Sequence, residues 1–260
     1  LVDLERYPLD DLDGARSLTV VAEGRRALSD RGFAALPGFL HPDGVTALVT
    51  EAETLVPLAH RSRVVGTAYL APPDDSFPSG HPRRSLWPTS LAVVAYDQFP
   101  SGSGLRSLYE WDPLRELIRR LLDEPVLHRY ADPLGALNLA VMTDGDELGW
   151  HFDQTDFVVS IALQSSERGG HFECAELIRT AHDEQYERVA AVMDGDPEGR
   201  VRVVAMEPGT LLLFAGRRSL HRVSTVEGDR ARHVALLGYD TASGTRSSES
   251  LQRVRYGRVA

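Results

Sequence analysis

The chain has 260 residues, 42% apolar and 25% charged, which suits one or two globular domains and excludes a small stapled module. A single cysteine, Cys174, rules out an internal disulfide framework and any zinc site built on several thiolates. Lys+Arg 28 against Asp+Glu 38 gives a formal net charge of −10, which argues against nucleic acid and anionic membrane as partners.

No run approaches the roughly 18 apolar residues of a membrane span, and no basic, apolar-cored leader opens the sequence. The expectation is a cytoplasmic protein with no membrane partner. The first fifteen residues read as a surface arm. A helix is predicted from about Leu18 to Ser29, followed by the apolar run Phe33–Leu36 and the turn Pro37-Gly38. His41-Pro42-Asp43 opens a second helix carrying Val45, Leu48, Val49, Leu55 and Leu58 near helical spacing. Residues 66–88, rich in proline and glycine, read as one long loop. A strand is expected over Leu91–Phe99 and a single helix over Leu105–Leu122.

The second half changes period. Short apolar runs at Leu137–Met142, Phe157–Leu163, His171–Leu177, Val201–Met206, Leu211–Phe214, His221–Val226 and His233–Tyr239 alternate with turn signals. Seven strands so spaced argue for a β-sandwich or barrel, not βαβ units. A helix over Asp183–Met193, closed by Asp194-Gly195-Asp196-Pro197, interrupts them. One domain is expected over 1–260. Residues 1–125 form a helical and loop layer with supporting strands, and 134–240 form the β core, with an insertion near 178–200.

The densest chemical motif is Gly149-Trp150-His151-Phe152-Asp153. Side chains on a strand repeat direction every two residues, so His151 and Asp153 share a face and can reach one cation. His221, after the turn Gly216–Ser219, is the candidate third ligand. Two histidines and one carboxylate are the donor set of a non-haem Fe(II) oxygenase, which leaves positions open for cosubstrate and dioxygen. Zinc accepts the same donors, and polar residues at a strand end give the same text. Arg232 lies eleven positions beyond His221. A returning strand can bring its guanidinium near the metal to meet the far end of a chelating dicarboxylate. Arg230, two residues earlier on the same face, is its rival.

Taken in order, several segments carry a resemblance: Leu148–Asp153, Gly169-Gly170-His171-Phe172-Glu173, Pro208–Gly216, His221-Arg222-Val223-Ser224 and Arg232. They resemble the double-stranded β-helix (jelly-roll, cupin-like) domain of the Fe(II)/2-oxoglutarate-dependent oxygenases. Within these, the text is most similar to the bacterial free-amino-acid halogenases and their hydroxylating relatives. The similarity spans residues 134–240, with Phe33–Leu40 like the opening strand, and is looser before residue 90.

The resemblance implies a mainly β fold with an α-helical N-terminal layer, and Fe(II), 2-oxoglutarate and dioxygen as cofactors. It makes His151, Asp153 and His221 the iron ligands and catalytic centre, and Arg232 the anchor of the distal 2-oxoglutarate carboxylate. Halogenases of the group carry glycine where this chain has Asp153, so hydroxylation is implied. A free amino acid would then yield hydroxy amino acid, succinate and carbon dioxide.

Further candidates carry less. Asn138 and Thr143 precede the metal motif and are candidates to touch the cosubstrate. Trp150 is a packing wall or a substrate platform. Asp156 and Asp240 can bind an ammonium, Arg84 (or Arg83 or Arg222) a carboxylate, and Glu173 a cationic side chain. Ordinary strand-end hydrogen bonding or a solvated charge explains each equally well. Still open are a tethered amino acid, peptide or small natural product as substrate, a non-enzymatic metabolite-binding jelly roll, and assembly as a homodimer.

Overall fold

The structure is a computed structural model, and it describes residues 1–195 and 200–260. Asp196 and Pro197, expected to close the inserted helix, therefore lie outside the described residues, as does that end of the 178–200 insertion.

Helix α1 (Ala15–Arg31) stops at Gly32, whose φ of 74° lets its amide turn back to the Leu28 carbonyl. Strand β1 (Phe33–Leu36) leads to α2 (Pro42–Leu55), started by a proline in its first turn and by the His41 side chain accepting from the Asp43 amide. β2 (His60–Thr67) and β3 (Leu86–Val94) pair antiparallel from His60–Val93 to Thr67–Leu86. The single helix expected over 105–122 is two, α3 (Gly104–Glu110) and α4 (Asp112–Leu122). They separate at extended Trp111, because Pro113 has no amide to continue the hydrogen-bond ladder.

The β core follows as β4 (His128–Arg129), β5 (Leu137–Met142), β6 (Leu148–His151), β7 (Val158–Gln164), β8 (Arg168–Gly169) and β9 (Phe172–Ala175). After α5 (Tyr186–Met193) come β10 (Val201–Val204), β11 (Leu211–Phe214), β12 (Leu220–Val223), β13 (Val226–Glu227), β14 (Arg232–Leu237) and β15 (Tyr239–Asp240). Helix α6 (Glu249–Tyr256) ends the described elements.

Hydrogen bonding orders the main sheet β1-β11-β7-β14-β5-β3-β6-β12-β9-β10, with β2 on β3. In that order β11, β7, β14 and β5 form one wall, and β6, β12, β9 and β10 the other. The chain crosses repeatedly between walls, which is the jelly-roll arrangement. The walls join where Thr89 of β3 pairs with Leu148 of β6.

Alternation divides each strand between two environments. On β11, Leu211 and Leu213 join the large core under the helices, while Leu212 and Phe214 join Phe33 and Cys174 in a separate cluster inside the barrel. Helix α4 supplies that large core with Leu114, Leu117, Ile118 and Leu121, an i, i+3, i+4, i+7 stripe. The opposite wall is backed by a smaller cluster in which Ile178, Val189, Val192 and Met193 of the insertion cover Trp150, Phe152 and Leu220.

Two further expectations change. The first fifteen residues are not a loose arm, because Tyr7 and Leu9 are buried and the Tyr7 hydroxyl donates to the Pro37 carbonyl at 2.9 Å. Strands also reach into the expected loop from both sides, leaving residues 68–85 as the irregular stretch.

Candidate metal centre

Antiparallel pairing of β12 with β6 sets His221 directly opposite His151. Their rings lie 4.2 Å apart between centroids. Asp153 follows two residues after His151. One of its carboxylate oxygens is 3.8 Å from His151 Nε2, the other 3.4 Å from His221 Nε2. One donor atom from each of the three residues lies within 4.8 Å of the others.

The imidazoles are oriented from behind. His151 Nδ1 meets the Gly149 carbonyl at 2.8 Å and His221 Nδ1 the Ser219 carbonyl at 2.9 Å. A carbonyl only accepts, so each Nδ1 carries a proton, which leaves each Nε2 as the atom that can offer a lone pair to the centre. Burial above all, then the neighbouring His221, pushes the His151 pKa down to about 4, so the ring is a neutral donor near pH 7. Gly216 makes room for the carboxylate. A Cβ there would stand 1.7 Å from Asp153 Oδ2, and the Gly216 carbonyl accepts the Asp153 amide at 3.1 Å. Two imidazole nitrogens and one carboxylate, with converging donor atoms, fit a divalent iron ion.

Arg232 opens β14 and pairs with Met142 of β5. It is 9% exposed, and among the described residues the one hydrogen-bond contact of its side chain is Met142 Sδ at 3.9 Å. Among the described residues no carboxylate reaches it, and burial lowers its pKa to about 10. A buried guanidinium without an anion is costly, which fits a site completed by a carboxylate from outside the chain. Its rival Arg230 is exposed and donates to the Ser165 and Ser166 carbonyls. Gly170, at φ +63°, leaves space beside Arg232, since a Cβ there would lie 3.1 Å from Arg232 Cδ. Met142 and Phe172 pack in one cluster, and Phe172 lies 5.6 Å from His221, so the arginine and the histidines border the same interior.

The other predicted site residues are dispersed. Glu173 pairs opposite Arg222 and bonds it at 2.8 Å, while the next pair along, His221 with Cys174, faces inward. Glu173 therefore points away from the metal ligands. Trp150 lies on that outer side too, in the cluster under the insertion with Arg222 4.6 Å over its ring. It is a wall behind the centre, not a substrate platform. Arg84 is held by the Phe77 carbonyl and Asp75 within the long loop. Asp156 is exposed and paired with Arg217 at 2.6 Å.

Asp240 accepts from the Ala242 amide and the Thr245 hydroxyl within its own turn. Thr143 bonds Arg61 and Asp146. Asn138 faces the interior but is tied to the Tyr256 hydroxyl and the Leu134 carbonyl. Cys174 is fully buried, and burial raises its thiol to about 12, so it is not a nucleophile.

Sequence reasoning missed two polar groups near the centre. Burial, then Asp240, raises the Tyr130 hydroxyl to about 12, and the charges of Arg255 and Asp153 also reach it. Arg255, on α6, is exposed, acts on His151 as well, and has no ion-pair partner among the described residues. No motif marks either residue, and only the packing of α6 brings Arg255 close.

The family described as halogenase D (HalD) matches residues 17–254 of this chain. No curated protein matches it. Among solved structures, AviO1 from Streptomyces viridochromogenes gives a TM-score of 0.59 at 18% identity, covering 87% of this chain and 97% of that one. HygX from Streptomyces hygroscopicus, solved with nickel, 2-oxoglutarate and hygromycin B, gives 0.53 at 17% identity, covering 84% and 86%. The epimerase SnoN from nogalamycin biosynthesis, solved with Fe3+, α-ketoglutarate and nogalamycin RO, gives 0.57 at 16%, covering 85% and 84%. What this chain shares with these three is the fold.

Proposed function

The chain belongs to the halogenase D family, and on that footing we propose that it is an Fe(II)- and 2-oxoglutarate-dependent oxygenase that hydroxylates an unactivated carbon of a free amino acid. The observation that carries the reading is the pairing of a preformed His151-Asp153-His221 cluster with a buried Arg232, which no carboxylate of the described residues reaches, on one interior.

Iron and 2-oxoglutarate, when bound, supply oxidative decarboxylation with dioxygen, releasing succinate and carbon dioxide and oxygenating a C–H bond. The chain supplies position. His151 Nε2, His221 Nε2 and an Asp153 oxygen hold the metal. Arg232 grips the distal carboxylate of 2-oxoglutarate through charge-assisted hydrogen bonds. Phe172, Phe214 and Leu212 give that interior an apolar lining that excludes water. Asp153 fills the ligand position that a halide would need, so the family's name does not transfer as an activity, and hydroxyl is the group delivered.

Support for a free amino acid comes from an exposed charge whose field reaches the His151 ring. Arg255, which has no ion-pair partner among the described residues, offers a cation for a carboxylate, whereas Asp240 is held within its own turn. The test is turnover of a panel of free amino acids in chloride buffer with Fe(II), 2-oxoglutarate and air. One member should gain a single oxygen with matching succinate. A chlorinated product would overturn the hydroxylase reading. Turnover of only carrier-tethered, peptide or natural-product substrates would overturn the free-amino-acid reading.

A further inference from the structure

Behind the metal cluster, on the outer face of the β6–β12 wall, one arginine touches both chain segments that shape Asp153. The Arg179 guanidinium lies 3.9 Å over the Phe152 ring, and Phe152 is the residue between ligands His151 and Asp153. Its Nε donates to the Arg217 carbonyl at 2.7 Å, one residue past Gly216, whose missing side chain accommodates the Asp153 carboxylate. Its own amide donates to the Arg218 carbonyl at 3.2 Å. Its Nη1 meets Glu184 at 2.7 Å, and only 14% of the side chain is exposed. Glu184 lies 3.9 Å from Arg83, which donates to the Tyr186 hydroxyl and covers the Tyr69 ring at 4.5 Å.

We propose that Arg179 is a positioning residue that fixes the Asp153 carboxylate by clamping the 152–153 turn to the 216–217 turn. The proposal rests on the reading of Asp153 as a metal ligand. The physical basis is directional. A planar guanidinium stacks on one group while donating in its own plane to two others, and a lysine ammonium cannot do all three. With the clamp in place, the gap between the two turns is set, and the carboxylate has the space left by Gly216 and little more. Without it, the turns are joined chiefly by the Asp153–Gly216 backbone bond and the exposed Arg217 contacts to Gln154 and Asp156. The ligand then samples a wider range of orientations. Partners that orient metal ligands without touching the metal contribute about 10–100-fold in metal affinity.

The test is Co(II) binding by wild type, Arg179→Lys and Arg179→Met, read as the visible Co(II) spectrum and as the rise in Tm that the metal produces. Positioning predicts Co(II) affinity lower by about 10–100-fold in both variants, with a changed band shape and a smaller metal-induced rise. A structural role alone predicts a lower Tm of the metal-free variants with affinity and band shape as in wild type, and that result overturns the proposal. Should Arg179→Met not fold, Arg179→Lys and Glu184→Gln carry the same reading, the latter with the smaller loss because the stack and the Arg217 bond remain. If wild type itself binds no Co(II), the metal-site reading falls first. If wild type binds and the variants match it, only the clamp falls.

Discussion

The wall of β11, β7, β14 and β5 rests on one continuous apolar layer fed by α1, α2 and α4. The wall of β6, β12, β9 and β10 is backed by a smaller cluster edged with charge, through Arg83, Arg179 and Glu184. The first wall carries Arg232 and none of the three proposed metal ligands, while the second carries His151 and His221 and leads into Asp153. The difference teaches that stability and ligand geometry are held on opposite sides of the barrel. Substitutions on the two walls should therefore separate in what they damage.

The largest effect is expected at the ligand side. Asp153→Ala should abolish metal binding and turnover while leaving the Tm of metal-free protein near wild type, because no Lys or Arg among the described residues pairs with this carboxylate. Normal turnover by this variant would remove it from the ligand set. In the apolar layer behind the other wall, Ile118→Ala on α4 should cost about 2–5 kcal/mol of unfolding free energy in denaturant titration. Metal affinity of the folded fraction should not change. A parallel loss of metal affinity would mean that the two walls are not separable.

Arg232→Met sharpens the contrast within the first wall. Removing hydrogen bonds to a charged carboxylate should weaken 2-oxoglutarate by about 10–100-fold, from about 1.5–3 kcal/mol of lost interaction. The metal- and 2-oxoglutarate-free protein should melt higher, since a desolvated, unpaired charge is gone. A lower Tm would mean that the guanidinium has a satisfied structural role.

The smallest effect lies at the join of the walls. Burial alone would raise the Asp146 carboxyl, but the Thr143 amide and Arg61 outweigh it and hold it below its ordinary value of 3.8. Its stabilisation is thus present above pH 3.8 and is lost as pH falls through the depressed value. Asp146→Asn should cost about 1–2 kcal/mol near neutrality. The gap from wild type should close in acid, and a gap independent of pH would contradict the linkage.

How legible each part was follows from what holds it. Leu137–Met142 and Leu211–Phe214 were readable end to end, because strands buried on both faces become continuous apolar runs between turn residues. The clustering of His151, Asp153 and His221 was readable because the first two are two residues apart on one strand exit, and the third lies on the strand that pairs with it.

Strand β2 was not readable. Its sequence is arginine-rich and largely exposed, and it is a strand because its backbone completes the β3 ladder. Helix α6 was missed because its buried residues are Gln252 and Tyr256, held by Asp132 and Asn138, so no apolar stripe announces it. That omission hid Arg255, and long-range packing likewise hid Arg179. Glu173 shows the opposite failure. The strand was correctly located, but face assignment needed its partner, Arg222.

The most direct test of the central claim is anaerobic titration of the protein with Fe(II) and 2-oxoglutarate, followed by visible absorption. The account predicts a weak metal-to-ligand charge-transfer band that requires both additions, is absent in Asp153→Ala, and shifts when the amino-acid substrate is added. Folded, iron-loaded protein that gives no band with 2-oxoglutarate would contradict it.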